Sequence, residues 1–186
     1  MNLQENIYRI KEVMGLNEQS ELNEIRNSWL NYITDKTKEI TGQSWPEYVL
    51  RDWLYRNTKD FDPKKENKDQ YLKIVNSYIE SFVEGHGKGH WEYEVLDISI
   101  DSFTDFVKED LKKKMSGFIR KDIPKDEERH LVQQSKIEKG GVSSEPIIVA
   151  ETKYGKYDLL EGWHRTTSAL KKFGKYKQNA WVYKLD

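Results

Sequence analysis

The spacing of the hydrophobic residues changes near the glycine-rich stretch 85–90, and this change restricts the fold more than any other feature of the sequence. Before this stretch, apolar residues recur every three or four positions, as Leu3, Ile7 and Ile10 do, which predicts amphipathic helices. After it, the segment 91–100 is rich in β-formers that partly alternate with polar residues, which predicts a strand. Further helices alternate with short strands along the rest of the chain, so the sequence predicts an α+β fold.

The same change predicts how the chain is divided. We expect a helical region of about four helices over 1–84 and a small mixed sheet with helices over 91–186. Between them, 85–90 is predicted to be a hinge, because glycine occupies alternate positions. Two alternatives remain open, since the amides of this loop can line an anion, and His86 and His90 can hold a metal ion. The glycines argue against the helix that would place both histidines on one face.

The composition excludes several classes of chemistry. The chain contains no cysteine, which removes disulfides, thiolate zinc sites and thiol catalysis. This suits a reducing compartment, and we expect a cytoplasmic protein. Six Trp, 11 Tyr and six Phe supply enough apolar surface for a core, although 34% of the residues are charged. No apolar run approaches a membrane span and the N-terminus lacks a signal-peptide core, so no membrane interaction is expected.

Charge is distributed unevenly along the chain. Residues 1–110 carry a net charge of −8 and residues 111–186 a net charge of +7. A basic C-terminal part fits an anionic ligand there, and the alternative is that the two halves attract one another. Lys112–Lys114 lie in the last turns of a predicted helix that ends before Gly117, where they complement the helix dipole. This position is a sufficient structural reason for the three lysines.

The segment from Tyr157 to Phe173 predicts a strand, a glycine turn at Gly162 and a helix that begins near Trp163. The first turn of such a helix carries backbone N–H groups without partners and the positive end of the helix dipole. Arg165 adds a planar fork of donors suited to phosphate, and a glycine lets an anion approach the backbone. Hydroxyl donors follow directly, at Thr166, Thr167 and Ser168. The segment therefore predicts a phosphate site, and the alternative is an ordinary turn with an exposed arginine.

Five sequence elements, in order, resemble the core of the ParB/sulfiredoxin superfamily. The family pattern is a helix, a Pro-Ile-x-Val strand, a second strand, a Gly-x-(His/Arg)-Arg turn that opens a helix, and a closing strand. The matching segments are Glu128–Ile137, Pro146–Val149, Tyr157–Leu160, Glu161–Arg165 and Asn179–Tyr183. The resemblance covers about residues 126–185, and it implies that this part is a ParB/sulfiredoxin-like mixed-sheet domain.

In that superfamily the equivalent turn holds nucleotide phosphates. The resemblance therefore implies a nucleotide cofactor of the ATP or CTP class, with or without Mg²⁺. The residues expected to bind it are Gly162, Arg165, Thr166, Thr167 and Ser168. The sulfiredoxin reaction needs a cysteine where this chain has Trp163, so that reaction is excluded. What remains is nucleotide binding, with phosphotransfer or phosphodiester hydrolysis as the expected chemistry.

Two residues of the turn are candidates for catalysis. Glu161 stands where related turns often carry aspartate, and a carboxylate there can act as a base or a metal ligand. His164 can place positive charge on the phosphates, as phosphoryl transfer requires. Glu145 and Asp158 are weaker candidates. The alternatives are a surface carboxylate paired with a lysine and an ordinary histidine at the start of a helix.

Three functions are compatible with these features. The first is a ParB-like nucleotide-binding domain with phosphotransferase or hydrolase activity. The second is a non-catalytic adaptor, of the kind that phages encode, which binds a protein partner through its N-terminal helices. The third is a DNA-binding or nuclease protein, which the near-neutral net charge of −1 disfavours. The intact Gly162-x-His164-Arg165 turn favours the first.

Overall fold

The computed structural model describes residues 30–58, 68–120 and 125–186. In its N-terminal part, residues 30–58 and 68–86 contain helices and no strand, which confirms the helical prediction for those residues. The predicted apolar stripe that begins at Leu3 lies outside the described residues. The N-terminal helices are α1 (30–41), α2 (Glu47–Val49), α3 (Arg56–Thr58) and α4 (Lys68–His86), and a π-helical segment, Leu50–Tyr55, joins α2 to α3.

The second part is a mixed four-stranded sheet with three helices. The strands are β1 (Gly89–Ser99), β2 (Ile147–Glu151), β3 (Tyr157–Glu161) and β4 (Lys175–Leu185). The helices are α5 (Asp105–Met115), α6 (Asp126–Gly140) and α7 (Trp163–Phe173). The strand order is β1-β4-β2-β3. Strand β4 pairs antiparallel with β1 and parallel with β2, while β3 pairs antiparallel with β2, so the predicted α+β class and mixed sheet are confirmed.

Helices cover both faces of this sheet. Neighbouring residues of the central strand β2 point to opposite sides, and this alternation separates two cores. Ile148 packs with the N-terminal helices, together with an aromatic cluster that includes Trp45 and Phe82, whose ring centroids lie 5.3 Å apart. Ile147 packs with α5, α6 and α7 on the other face. The N-terminal helices therefore form one layer on the sheet and share a core with it.

The predicted hinge at 85–90 is much shorter in the structure. Helix α4 continues through Gly85 to His86, and β1 begins at Gly89. Gly89 is required by close approach, since a Cβ atom there would lie 1.9 Å from the carbonyl oxygen of Lys184 on β4. Residues 87–88, which connect α4 to β1, are also fixed to the sheet, because the Tyr183 hydroxyl donates to the Gly87 carbonyl over 3.0 Å. Helix α4 and strand β1 thus extend into residues 85–90, where the glycines had suggested a flexible hinge.

The three lysines predicted at a helix end do lie in the last turns of α5. Lys112 and Lys113 fit the predicted role beside the helix dipole. Lys114 is instead buried, because its position continues the apolar stripe of Val107 and Leu111. Among the helices that the structure describes, none combines the length and the hydrophobicity that a bilayer span requires.

Candidate functional site

The predicted strand–glycine–helix junction is present between β3 and α7. Gly162 is the N-cap of α7 and adopts a φ of 103°, a left-handed conformation that favours glycine. A Cβ atom there would lie 2.6 Å from Cγ2 of Ile147 on β2. Gly162 is therefore needed for its backbone angle and for tight packing against the sheet, in addition to any role beside a ligand.

The first turn of α7 carries amides that the helix itself does not satisfy. The first intrahelical bond runs from the N–H of Thr166 to the carbonyl of Gly162 over 2.8 Å, and no side chain caps the helix. The N–H groups of Trp163, His164 and Arg165 therefore have no partner within the helix. With the helix dipole, they form a positively polarised edge suited to an anion.

Arg165 lies beside this turn and is held by neighbouring groups. Its Nη1 donates to Oε2 of Glu145 over 2.6 Å, and its Nη2 donates to the carbonyl of Pro146 over 3.1 Å. The Tyr48 hydroxyl donates to the same carbonyl over 3.0 Å, which links α7 to the N-terminal layer. The Arg165 side chain is 11% exposed, whereas that of Glu145 is 60% exposed. The guanidinium that was predicted to bind phosphate thus has a structural role, and its anionic partner is an exposed surface carboxylate.

Glu161 lies at the entrance of the same turn. Burial raises the pKa of its carboxyl above the ordinary value, against the opposing effects of Arg165, Arg56 and the Gly162 N–H. Oε1 of Glu161 lies 3.5 Å from Nη1 of Arg56. Nη2 of the same arginine lies 3.0 Å from Oδ1 of Asp52. A carboxylate whose pKa is raised by burial is a candidate for proton transfer.

His164 contacts a different part of the fold. Its Nε2 lies 2.7 Å from Oδ1 of Asp126 in the first turn of α6. The other oxygen of Asp126 accepts from the N–H of Arg120 over 2.9 Å and lies 3.7 Å from Nζ of Lys114. Burial alone would raise the pKa of Asp126, but the Arg120 N–H, His164 and Lys114 together lower it. The candidate catalytic histidine is therefore bound in an ionic cluster that the sequence analysis missed.

One sequence signal points to this cluster. Lys114 lies three residues after Leu111 and seven after Val107, so it falls on the buried apolar stripe of α5. A lysine on an apolar stripe requires a buried partner of opposite charge. The sequence does not show that the partner is Asp126, which lies on another helix.

The three hydroxyl residues predicted to bind phosphate face the interior. Thr166 and Thr167 are fully buried and Ser168 is 4% exposed. Within the described residues, none of their hydroxyl oxygens has a hydrogen-bond partner that meets ordinary geometry. Thr166 lies near Tyr176, whose pKa burial raises to about 12. A phosphate at Gly162 would therefore meet backbone amides and Arg165 before it met these hydroxyls.

The histidines of the stretch 85–90 pair with carboxylates on separate elements. Nε2 of His86 lies 3.4 Å from Oδ2 of Asp158 on β3, and Nδ1 of His90 lies 3.0 Å from Oδ1 of Asp186. Across the part of the chain that the structure describes, no group of three or more His, Asp or Glu residues is arranged to hold a metal ion. The structure thus gives the two histidines ion-pair partners, not a common site.

A cavity of about 760 Å³ lies between α4 and β3. Its lining combines aromatic and polar groups, among them Trp53, Asn57, Tyr78 and His86, and it extends to Leu159 and Leu160. Leu160 directly precedes Glu161, so this cavity reaches the strand that leads into the α7 turn. Its volume falls within the range of small-molecule sites.

Comparison with known proteins gives no match to a family model, a curated protein or a solved structure. The resemblance to the ParB/sulfiredoxin superfamily therefore stays a prediction.

Proposed function

We propose that this protein binds a nucleotide, with one phosphate at the N-terminus of α7. The observation that carries the proposal is the uncapped first turn of this helix, where the amides of Trp163, His164 and Arg165 lack helical partners beside the Arg165 guanidinium. Amides, dipole and guanidinium each favour an anion. ATP or CTP is the nucleotide class that the superfamily resemblance implies.

Glu145 would compete with the phosphate for Arg165. Its carboxylate accepts from Nη1 of Arg165, yet most of its side chain is exposed, so it can swing away at little cost in packing. A bound phosphate would take its place on the guanidinium while Nη2 keeps its bond to the Pro146 carbonyl. The salt bridge would thus represent the ligand-free state of the site.

The aromatic cavity between α4 and β3 offers room for the rest of the nucleotide. Its lining extends to Leu160, two residues before Gly162. Tyr78 and Trp53 contribute aromatic rings to the same lining. Apolar and aromatic walls with a few polar groups are typical of nucleobase sites. This placement would put the base on one side of β3 and the phosphates at its end.

Glu161 is the residue best placed for chemistry at this site. With its pKa raised by burial, it would accept a proton from a water or an acceptor hydroxyl as that oxygen bonds to the terminal phosphorus, while the bridging P–O bond breaks and the nucleoside diphosphate leaves. Any Mg²⁺ would arrive with the phosphates, since this ion is commonly held by one or two carboxylates together with phosphate oxygens. His164 has no part in this step, because Asp126 holds its ring at the other helix.

Glu145→Gln provides the sharpest test, because this exposed residue carries little of the fold. Removing its charge should strengthen nucleotide binding, since Arg165 is then free of its competitor. The control is Glu151→Gln, a carboxylate at the end of β2 that makes no contact with Arg165 in the structure. A thermal-shift screen of ATP, ADP, CTP and GTP with and without Mg²⁺ would choose the nucleotide for calorimetry. Absence of binding by the wild-type protein, or weaker binding by Glu145→Gln, would refute the proposal.

The adaptor alternative receives less support from the described residues. Helices α1 to α4 direct apolar residues such as Ile33, Val75 and Ile79 into the core shared with the sheet, where they are fully buried. These faces are thus already occupied within the fold. A partner bound through the N-terminal helices stays a prediction, as does binding to DNA.

A further inference from the structure

A second cavity separates α6 from α7, on the sheet face opposite the aromatic cavity. The two helices are linked at both ends. His164 pairs with Asp126 at their N-termini, and Nζ of Lys172 donates to the carbonyl of Ile137 over 2.9 Å near their C-termini. Between these links a cavity of about 310 Å³ lies beside the buried core that Ile137 of α6 shares with Ala169 and Leu170 of α7. Such a gap between helices forfeits dispersion contacts unless something fills it.

The lining of this cavity combines the apolar side chain of Ile137 with polar and charged groups from both helices. Ser168 and His130 face it from α7 and α6, at 4% and 9% exposure, and Gln134 and Lys171 complete that side. The Ser168 hydroxyl is buried and has no hydrogen-bond partner among the described residues. An unpaired buried hydroxyl lowers stability, so a ligand that accepts its hydrogen bond would be favoured.

The electrostatic environment selects the sign of that ligand. Burial lowers the pKa of His130, and its neighbours His164, Lys171 and Lys114 lower it further against the opposing effect of Asp126. Lys171 and Lys172 both border the cavity. The one acidic residue in its lining, Glu138, already accepts from the Gln134 amide over 3.2 Å. Two lysines against one carboxylate give the lining a net positive charge, which suits an anion.

We propose that the cavity between α6 and α7 binds a small anion of the phosphate class, held by the Ser168 hydroxyl, the His130 ring and the Lys171 ammonium group. A volume of about 310 Å³ lies at the small end of ligand sites, which fits a phosphate group with a few ordered waters better than a whole nucleotide. Neither Gly162 nor Arg165 lines this cavity. It is therefore separate from the nucleotide site proposed above and does not depend on it.

Inorganic phosphate is the probe that tests this site. It is titrated into the wild-type protein at constant ionic strength, and NMR of the histidine ring signals is followed alongside calorimetry. Phosphate bound at the N-terminus of α7 would also release heat, so the His130 signal locates the ion. We expect phosphate to cause a saturable shift of the His130 ring signal. The same shift should occur in Arg165→Ala, a variant that should lose phosphate binding only at the N-terminus of α7.

Three variants complete the test. Lys171→Gln should weaken phosphate binding at His130 roughly 10-fold or more, the loss expected for a charge-assisted hydrogen bond. Ser168→Ala should weaken it roughly 2- to 10-fold, while the protein without phosphate melts no lower than the wild type, since the lost hydroxyl was unpaired. Lys139→Gln, an exposed lysine in the last turn of α6 outside the cavity, should bind like the wild type.

Three results would overturn the proposal. The first is a His130 signal that does not respond to phosphate. The second is equal binding by Ser168→Ala, Lys171→Gln and the wild type, which would mean that the cavity holds water alone. The third is a loss of the His130 response in Arg165→Ala when circular dichroism shows that the variant is folded, because the response would then originate at the α7 turn.

Discussion

The His164 ring and the Asp126 carboxylate join the first turns of α7 and α6 through a contact of 2.7 Å between Nε2 and Oδ1. Lys114 approaches the other oxygen of Asp126, at 3.7 Å, from the last turn of α5. One buried carboxylate thus connects three helices on the same face of the sheet. A residue that the sequence suggested for catalysis is in this way part of the framework that positions α7.

Removing this carboxylate should destabilise the fold. Asp126→Ala leaves the buried Lys114 and the partly buried His164 without their anionic partner, and loss of one member of a buried ion pair costs roughly 3–5 kcal/mol. The matched control is Glu127→Ala, an exposed residue in the same helical turn, which should cost less than about 1 kcal/mol. Urea unfolding followed by circular dichroism measures both variants. Similar small losses in the two would show that the cluster contributes little.

Arg165→Ala should weaken nucleotide binding roughly 10- to 150-fold, as expected when a hydrogen bond to a charged group worth about 1.5–3 kcal/mol is lost. Arg165→Lys should restore only part of the affinity, since a point charge cannot replace the planar fork that contacts both Glu145 and the Pro146 carbonyl. Calorimetry with the best nucleotide measures these differences. Circular dichroism accompanies it, because the contacts of Arg165 within the fold also contribute to stability. Unchanged affinity in a folded Arg165→Ala protein would remove Arg165 from the site.

Substitution of Gly162 should act on stability before it acts on binding. A Cβ atom would lie 2.6 Å from Ile147, and the φ of 103° is unfavourable for other residues, so Gly162→Ala should lower the unfolding free energy by at least about 2 kcal/mol. Gly117→Ala is the matched control, since its φ of 96° is similar but no atom lies within 4 Å of its added Cβ. Thermal unfolding of both separates backbone strain from steric overlap. Equal losses would mean that Ile147 accommodates the methyl group.

The pairing of His86 with Asp158 should make stability depend on pH. The hydrogen bond to Asp158 raises the pKa of His86 above 6.5, and the same bond lowers the pKa of Asp158 below 3.8. A raised histidine pKa gives stability that is fully present below 6.5 and is lost as pH rises through the folded-state pKa. The lowered aspartate pKa gives stability that is present above 3.8 and is lost as pH falls through its folded-state value. The pair should therefore contribute most between these two ordinary values.

The unfolding free energy of His86→Gln, measured against the wild type across this pH range, tests the pair. The difference should be largest between the two ordinary pKa values and should shrink as pH rises above 6.5. His90→Gln is the control, because its ring is exposed and its two carboxylate partners lie at the surface. A difference that stays constant with pH would show that His86 contributes through packing and its bond to the Phe82 carbonyl, not through its charge.

Local sequence patterns determined the secondary structure. Helical spacing predicted a helical region before residue 85 and the helix α5, the β-rich segment after residue 90 predicted β1, and the glycine at 162 predicted the change from β3 to α7. These features depend on residues close together in the chain, whose periodicity and backbone preferences act directly. The sequence therefore determined the α+β class and the position of the candidate phosphate turn.

Tertiary packing decided what the residues of that turn do. Asp126 and His164 are 38 residues apart, and Arg165 and Glu145 are 20 apart, so no local pattern specifies either pair. The orientation of α7 also depends on its packing against α6 and the sheet. This orientation places Ser168 at the cavity between α6 and α7 instead of at the start of the helix. The sequence by itself thus determined where the helix begins, while the charges and surfaces packed around it determined which side chains remain available to a ligand. The physical reason is that burial and ion pairing depend on distances across the fold, whereas helix and strand formation depend on spacing along the chain.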